Sequence, residues 1–157
     1  MAKTVVITDQ EPAWYVWARS IVVGIAVAIL YSVLAYIIAK YVVDPLTCGS
    51  GQSAACVQSA SISTNIALVL AAVGGLALSI RFALARPLFV VLFATALLWG
   101  FGDITAGLFW LEVFGWALLI FTAVYVLAAW MTRHHNLTAL TVVAVVIFVV
   151  ERILLAL

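Results

Sequence analysis

The sequence predicts an all-α fold, a polytopic bundle of transmembrane helices in a single integral membrane domain covering residues 1–157. Hydrophobic residues make up 68% of the chain and charged residues only 8%, whereas soluble domains usually contain about 25% charged residues. The mean hydropathy is +1.32. The apolar stretches between polar breaks approach the ~20 residues that a membrane-spanning helix needs. A lipid bilayer is therefore the expected environment.

The first predicted span covers residues 20–43 and ends at Asp44 and Pro45, because proline interrupts a helix. A polar stretch, residues 44–60, follows as an external loop. It contains Cys48 and Cys56, and two cysteines in one exposed loop indicate a disulfide in an oxidising compartment. A redox-active pair is the alternative, but the cysteines lack the C-x-x-C spacing that lowers a thiol pKa.

The remaining predicted spans cover residues 61–80, 88–101, 108–131 and 138–157, which gives five in total. The third is short for a full crossing. Four spans are also possible if the last segment lies along the membrane surface, but residues 138–150 have no polar face for that position. His134 and His135 are adjacent and have no third ligand nearby in sequence, so no metal site is predicted.

Basic residues near span ends favour the cytoplasmic side of a membrane. A cytoplasmic N-terminus places most of them inside, and only Lys40 and Arg152 outside. The sequence thus predicts a multi-pass protein of the plasma or inner membrane with its cysteine loop on the extracytoplasmic side. The inside set is Lys3, Arg19, Arg81, Arg86 and Arg133.

Small residues recur every four positions in the first two spans, which places them on one side of each helix. In lipid, helices associate through close contact at such residues. The two stripes predict that the first two spans pack as a hairpin, and that other transmembrane helices or further copies of the chain are partners. The predicted packing residues are Gly24, Ala28 and Ser32 in the first span, and Ala67, Ala71, Gly75 and Ser79 in the second.

Charged residues inside the later spans are unfavourable in lipid unless they face protein, water or an opposite charge. One interpretation is an ion pair between Glu112 and Arg152 that joins the fourth and fifth spans. The other is an outward-facing polar vestibule that binds a cation or proton. The residues concerned are Asp103, Thr105, Glu112, Glu151 and Arg152.

No phosphate-binding loop, catalytic triad or cluster of metal ligands occurs in the sequence, so no enzymatic activity and no cofactor is predicted. A net charge of +1 gives no basic surface for nucleic acid. The preferred function is a non-enzymatic helix-packing subunit or scaffold of a membrane assembly. The alternative is a small transporter or channel for cations or protons.

Overall fold

The computed structural model describes residues 13–47, 53–84, 86–105 and 107–132, together with Val146. These residues form helices joined by turns and include no strand, so the predicted all-α helical bundle is confirmed. Four helical segments are long and apolar enough to cross a bilayer: Trp14–Leu46, Ser61–Arg81, Pro87–Ile104 and Trp110–Thr132. Except for Val146, which is helical, the predicted fifth span lies outside the described residues.

The first helical segment continues beyond the predicted stop at Asp44 and Pro45. Helix α1 (Ala13–Ile38) passes through a π-helical turn (Ala39–Val43) into the short helix α2 (Asp44–Thr47). The Asp44 N–H donates to the Ala39 carbonyl, five residues earlier. Proline cannot donate a hydrogen bond and its ring crowds the carbonyl four residues earlier, and the wider π turn changes the hydrogen-bond spacing just before it. The chain therefore remains helical through Pro45.

Helix α3 (Ser53–Arg81) begins within the stretch predicted to be an external loop. Between α2 and α3, only residues 48–52 lie outside the description. Cys48 is among them, and the side chain of Cys56 on α3 is also outside it. The structure consequently gives no support for the predicted disulfide.

The third segment is interrupted rather than simply short. Helix α4 (Pro87–Leu97) has 11 residues, or about 17 Å at 1.5 Å per residue, which is less than the ~30 Å hydrocarbon core. A turn containing Gly100, with a left-handed φ of 89°, leads into the short helix α5 (Phe101–Ile104). Together they reach the length of a span. Helix α6 (Trp110–Thr132) follows.

The four membrane-spanning segments form a closed ring in which α1 contacts α3 and α6, and α4 also contacts α3 and α6. Since short connections join consecutive spans, neighbours run antiparallel, as in an up-down-up-down bundle. The start of α1 lies at one end of this bundle, called here the N-terminal end. The end of α1 and the starts of α3 and α6 lie at the other, called the far end.

The core of the ring is filled with apolar side chains from all four helices. Val27 and Ala28 of α1, Ala71 of α3, Val90 of α4 and Phe121 of α6 are each no more than 2% exposed. Outside the ring, large apolar side chains are exposed on every helix, as expected for surfaces that contact lipid.

Candidate functional site

Charged side chains divide between the two ends of the bundle. In the described ranges, Arg19, Arg81 and Arg86 lie at the N-terminal end, on α1, at the end of α3 and just before α4. The described acidic residues are all at the far end, together with Lys40. This asymmetry gives the two ends opposite electrostatic character. The acidic residues are Asp44, Asp103 and Glu112.

Asp103 and Thr105 have different environments although they are close in sequence. The Asp103 side chain is exposed on α5. Thr105 is buried, and its hydroxyl donates to the Phe101 carbonyl at 3.0 Å. Thr105 thus closes the short helix α5, a local role that serine and threonine hydroxyls often have. Asp103 therefore places a carboxylate on the surface of the far end, whereas the Thr105 hydroxyl is used inside α5.

Glu112 is exposed in the first turn of α6. Its Oε2 accepts a hydrogen bond from the Phe109 N–H at 3.4 Å, and its own N–H donates to the Phe109 carbonyl at 2.9 Å. This reciprocal pattern resembles a capping box, and a negative charge at a helix N-terminus is favourable. Glu112 therefore has a local structural role that sequence analysis missed.

Arg152, the predicted partner of Glu112, lies outside the described residues, as does Glu151, the predicted vestibule residue of the fifth span. The ion pair between Glu112 and Arg152, and the polar vestibule, therefore stay predictions.

Gly24, one residue of the small-residue stripe of α1, lies against α6. A Cβ atom added to Gly24 would lie 2.7 Å from the Thr122 Cα and 3.3 Å from the Phe121 carbonyl oxygen, both on α6. Gly24 thus lets the backbones of α1 and α6 approach closely. The first two spans, predicted to form a hairpin, are also in contact, since α1 packs against both α3 and α6.

The α3 stripe faces the interior of the ring. A Cβ on Gly75 would meet the Tyr125 hydroxyl of α6 and Val27 Cγ2 of α1, the latter at 3.2 Å. Gly75 therefore leaves space for an aromatic side chain as well as for a neighbouring helix. Of the other predicted packing residues, Ala28, Ala67, Ala71 and Ser79 are buried and Ser32 is half-buried.

Three aromatic rings pack together between α1, α5 and α6, and sequence analysis did not identify them. The Tyr31 and Phe121 ring centroids are 4.9 Å apart. Phe101 contacts Tyr31 at 6.0 Å and Phe121 at 5.9 Å, in edge-to-face geometry. Such pairs contribute beyond their buried area. The cluster attaches the short helix α5 to the bundle.

Lys40, in the π-helical turn, lies beside two exposed tyrosines. Its Nζ is 3.1 Å from the Tyr36 hydroxyl, and it lies 5.5 Å and 5.8 Å from the ring centroids of Tyr36 and Tyr41. Tyrosine and lysine are typical of the boundary between lipid and water. These residues indicate the membrane boundary at the far end.

The described residues contain no group of three histidine, cysteine or acidic residues that could hold a metal ion. The buried hydroxyls of Ser79 and Thr122 have no hydrogen-bond partner. Comparisons with protein-family models, with curated proteins and with solved structures found no match. Function must therefore be inferred from packing and charge.

Proposed function

We propose that this integral membrane protein is a non-enzymatic helix-packing subunit of a membrane assembly. The observation that carries the proposal is the closely packed interior of the ring. At Gly24, the α1 and α6 backbones are in direct contact. At Gly75 of α3, the Tyr125 side chain of α6 fills the space between the helices. A transport protein instead needs polar groups around a path through its bundle.

Two interior hydroxyls, those of Ser20 and Thr132, also support a structural role. Ser20 donates to the Val16 carbonyl at 2.8 Å, and Thr132 donates to the Ala129 carbonyl at 2.8 Å. Both bonds lie within a single helix and satisfy the hydroxyl in an apolar environment. Side chains bonded in this way stabilise the protein interior without exposing a polar surface to a ligand.

The exterior offers the surface that a subunit of an assembly needs. Aromatic side chains are exposed on α1 and α6, among them Trp14 at 69%, Trp110 at 64% and Trp116 at 52%. Aromatic residues are enriched where protein surfaces associate. The partners proposed for these faces are other transmembrane helices, including those of further copies of this chain.

The charge asymmetry supports a cytoplasmic N-terminal end, because arginines near span ends are retained on that side. The far end, with Asp103 and Glu112, would then face the extracytoplasmic space of a plasma or inner membrane. This orientation can be checked by introducing single cysteines at Arg86 and at Leu46 in a Cys48→Ser/Cys56→Ser chain. Labelling by an impermeant maleimide from outside should reach position 46 and spare position 86.

The second candidate function is cation or proton transport. The observation that favours it is the position of two exposed acids, Asp103 and Glu112, on either side of the α5–α6 turn. In a transporter, these two acids would form part of an outward-facing entrance. This function requires charge at these residues, whereas a packing subunit does not.

One experiment separates the two functions. The purified protein is reconstituted in liposomes, proton and potassium flux is followed with entrapped dyes, and association is followed by energy transfer between separately labelled copies. We expect energy transfer that persists on dilution with lipid, and no flux above that of empty liposomes. Flux that disappears in Asp103→Asn/Glu112→Gln with association unchanged, but persists in the control Asp44→Asn, would establish transport instead.

A further inference from the structure

The hydroxyl of Ser79 on α3 is buried inside the bundle without the hydrogen bond that similar side chains form. Ser79 is 0% exposed, and among the described residues its Oγ has no hydrogen-bond partner. Ser20 and Ser32 of α1, by contrast, each donate to the carbonyl four residues earlier at 2.8 Å. For Ser79 that carbonyl belongs to Gly75. Because Ser79 does not form this bond, its hydroxyl points away from its own helix backbone and into the packed interior.

Tyr125 of α6 places a second hydroxyl in the same part of the ring. Its side chain is 2% exposed, and its Oη lies where a Cβ on Gly75 would stand. Ser79 follows Gly75 by four residues, so the two positions are neighbours on one side of α3. The Ser79 side chain also tilts toward the start of α3, and therefore toward Gly75. This places the two hydroxyl oxygens about 5 Å apart, the spacing of side chains one helical turn apart.

We propose that Ser79 and Tyr125 bind one internal water molecule, which bridges their hydroxyls and joins α3 to α6 across the ring. A buried hydroxyl without a partner is unfavourable, and internal waters typically bind such groups. Neither side chain contributes a charge, so the pair suits a small neutral ligand rather than an ion. This assignment goes beyond the proposed function, because it adds a polar link between two helices that face each other across an apolar interior.

The separation of the two hydroxyls fits a bridging water. A direct bond between hydroxyls requires about 2.7 Å between the oxygens, and Ser79 forms no such bond. Two bonds of that length through one water span up to about 5.4 Å. Each hydroxyl can donate one hydrogen bond and accept others, so either can give its proton to the water while the other receives one from it.

Small residues around the two hydroxyls leave space for the water. Gly75 has no side chain, and two buried alanines lie close by: Ala71, one turn before Gly75 on α3, and Ala128, one turn after Tyr125 on α6. A bound water typically needs about two to four polar partners. The third partner is the Gly75 carbonyl, which keeps a second lone pair when it accepts the bond within the helix.

Removal of each hydroxyl tests whether the two share one ligand. We expect Ser79→Ala and Tyr125→Phe each to lower the thermal unfolding midpoint in detergent. The double variant should be no less stable than the worse single variant, because it leaves no hydroxyl unpaired. The matched control is Ser20→Ala, whose hydroxyl bonds within its own helix, and its effect should add to that of Tyr125→Phe. Additive effects for Ser79 and Tyr125 would overturn the proposal.

Radiolytic labelling tests for the water itself. The full chain in lipid nanodiscs is equilibrated with isotopically labelled water and exposed to a short X-ray pulse, which turns a bound water into a hydroxyl radical that modifies the adjacent side chain. The internal reference is Tyr31, which is 3% exposed and packs against Phe101 and Phe121.

We expect several-fold more label on Tyr125 than on Tyr31. Ser79→Ala should reduce the Tyr125 label to the level of Tyr31, whereas Ser20→Ala should leave it unchanged. Equal labelling of the two tyrosines in the parent chain would show that no water is bound beside Tyr125. Tyr125 labelling that persists in Ser79→Ala would show that Ser79 does not hold the water. Either result overturns the proposal.

Discussion

Gly24→Ala provides the sharpest test of the packing between α1 and α6. The added methyl group would lie 2.7 Å from the Thr122 Cα and 3.3 Å from both the Thr122 nitrogen and the Phe121 carbonyl oxygen. All three atoms belong to the α6 backbone, so no side-chain rotation relieves the overlap. The helices must separate by about 0.7 Å to restore ordinary contact. Overpacking of this kind typically costs about 1–3 kcal/mol.

The matched control is Gly115→Ala on α6, where the new methyl group would meet no atom within 4 Å. Equilibrium unfolding in mixed micelles should show a loss of about 1–3 kcal/mol for Gly24→Ala, and no loss for Gly115→Ala, where the higher helix propensity of alanine gives a gain of up to about 1 kcal/mol. Thr122→Ala should not rescue Gly24→Ala, because the contact is with the Thr122 backbone. If both glycine variants unfold at the same denaturant fraction, the close approach of α1 and α6 is refuted.

Three further changes can be measured in the same unfolding assay. Gly74→Ala should lower the free energy of unfolding by less than about 1 kcal/mol, because the new methyl meets only the end of the flexible Leu30 side chain; a loss as large as that of Gly24→Ala would contradict this. Gly75→Ala should be destabilising in the parent chain and much less so with Tyr125→Phe, which removes the hydroxyl that the methyl would meet; equal losses in both backgrounds would exclude that contact. Phe121→Ala should cost about 3–5 kcal/mol by leaving a cavity, and a loss below ~1 kcal/mol would show that the aromatic cluster does not hold α5 in place.

The sequence was sufficient for the fold class because length and hydropathy define membrane spans almost independently of tertiary structure. It placed spans at residues 88–101 and 108–131, which overlap Pro87–Ile104 and Trp110–Thr132, and a span at residues 61–80, within α3. It failed at residues 44–60, where polar composition suggested a loop and the backbone from Ser53 is helical. A polar sequence indicates contact with water. A loop has that contact, and so does a helix that extends beyond the bilayer. Composition alone therefore could not locate the start of α3.

Length and hydropathy, which predicted the fold class, do not predict the order of the helices around the ring. In a soluble helix, an apolar stripe marks the buried side, but in a membrane helix both sides are apolar. Small residues remain the main signal, and they identified buried positions such as Ala28 and Ala71. They did not show that Gly24 would meet α6, because a glycine can lie against any backbone that comes close. The Tyr31, Phe101 and Phe121 cluster gave no such signal at all, since large aromatic residues also face lipid.

Glu112 shows why a charged residue in a membrane helix needs two substitutions before its role can be assigned. As an acceptor for the Phe109 N–H at 3.4 Å, it contributes to the start of α6 whether or not it meets a cation. Glu112→Gln preserves that acceptor and removes the charge, whereas Glu112→Ala removes both. Loss of a cap typically costs about 1 kcal/mol, so a stability difference of that size between the two variants measures the cap. Any effect common to both measures the charge, and only this common effect bears on ion binding or on Arg152.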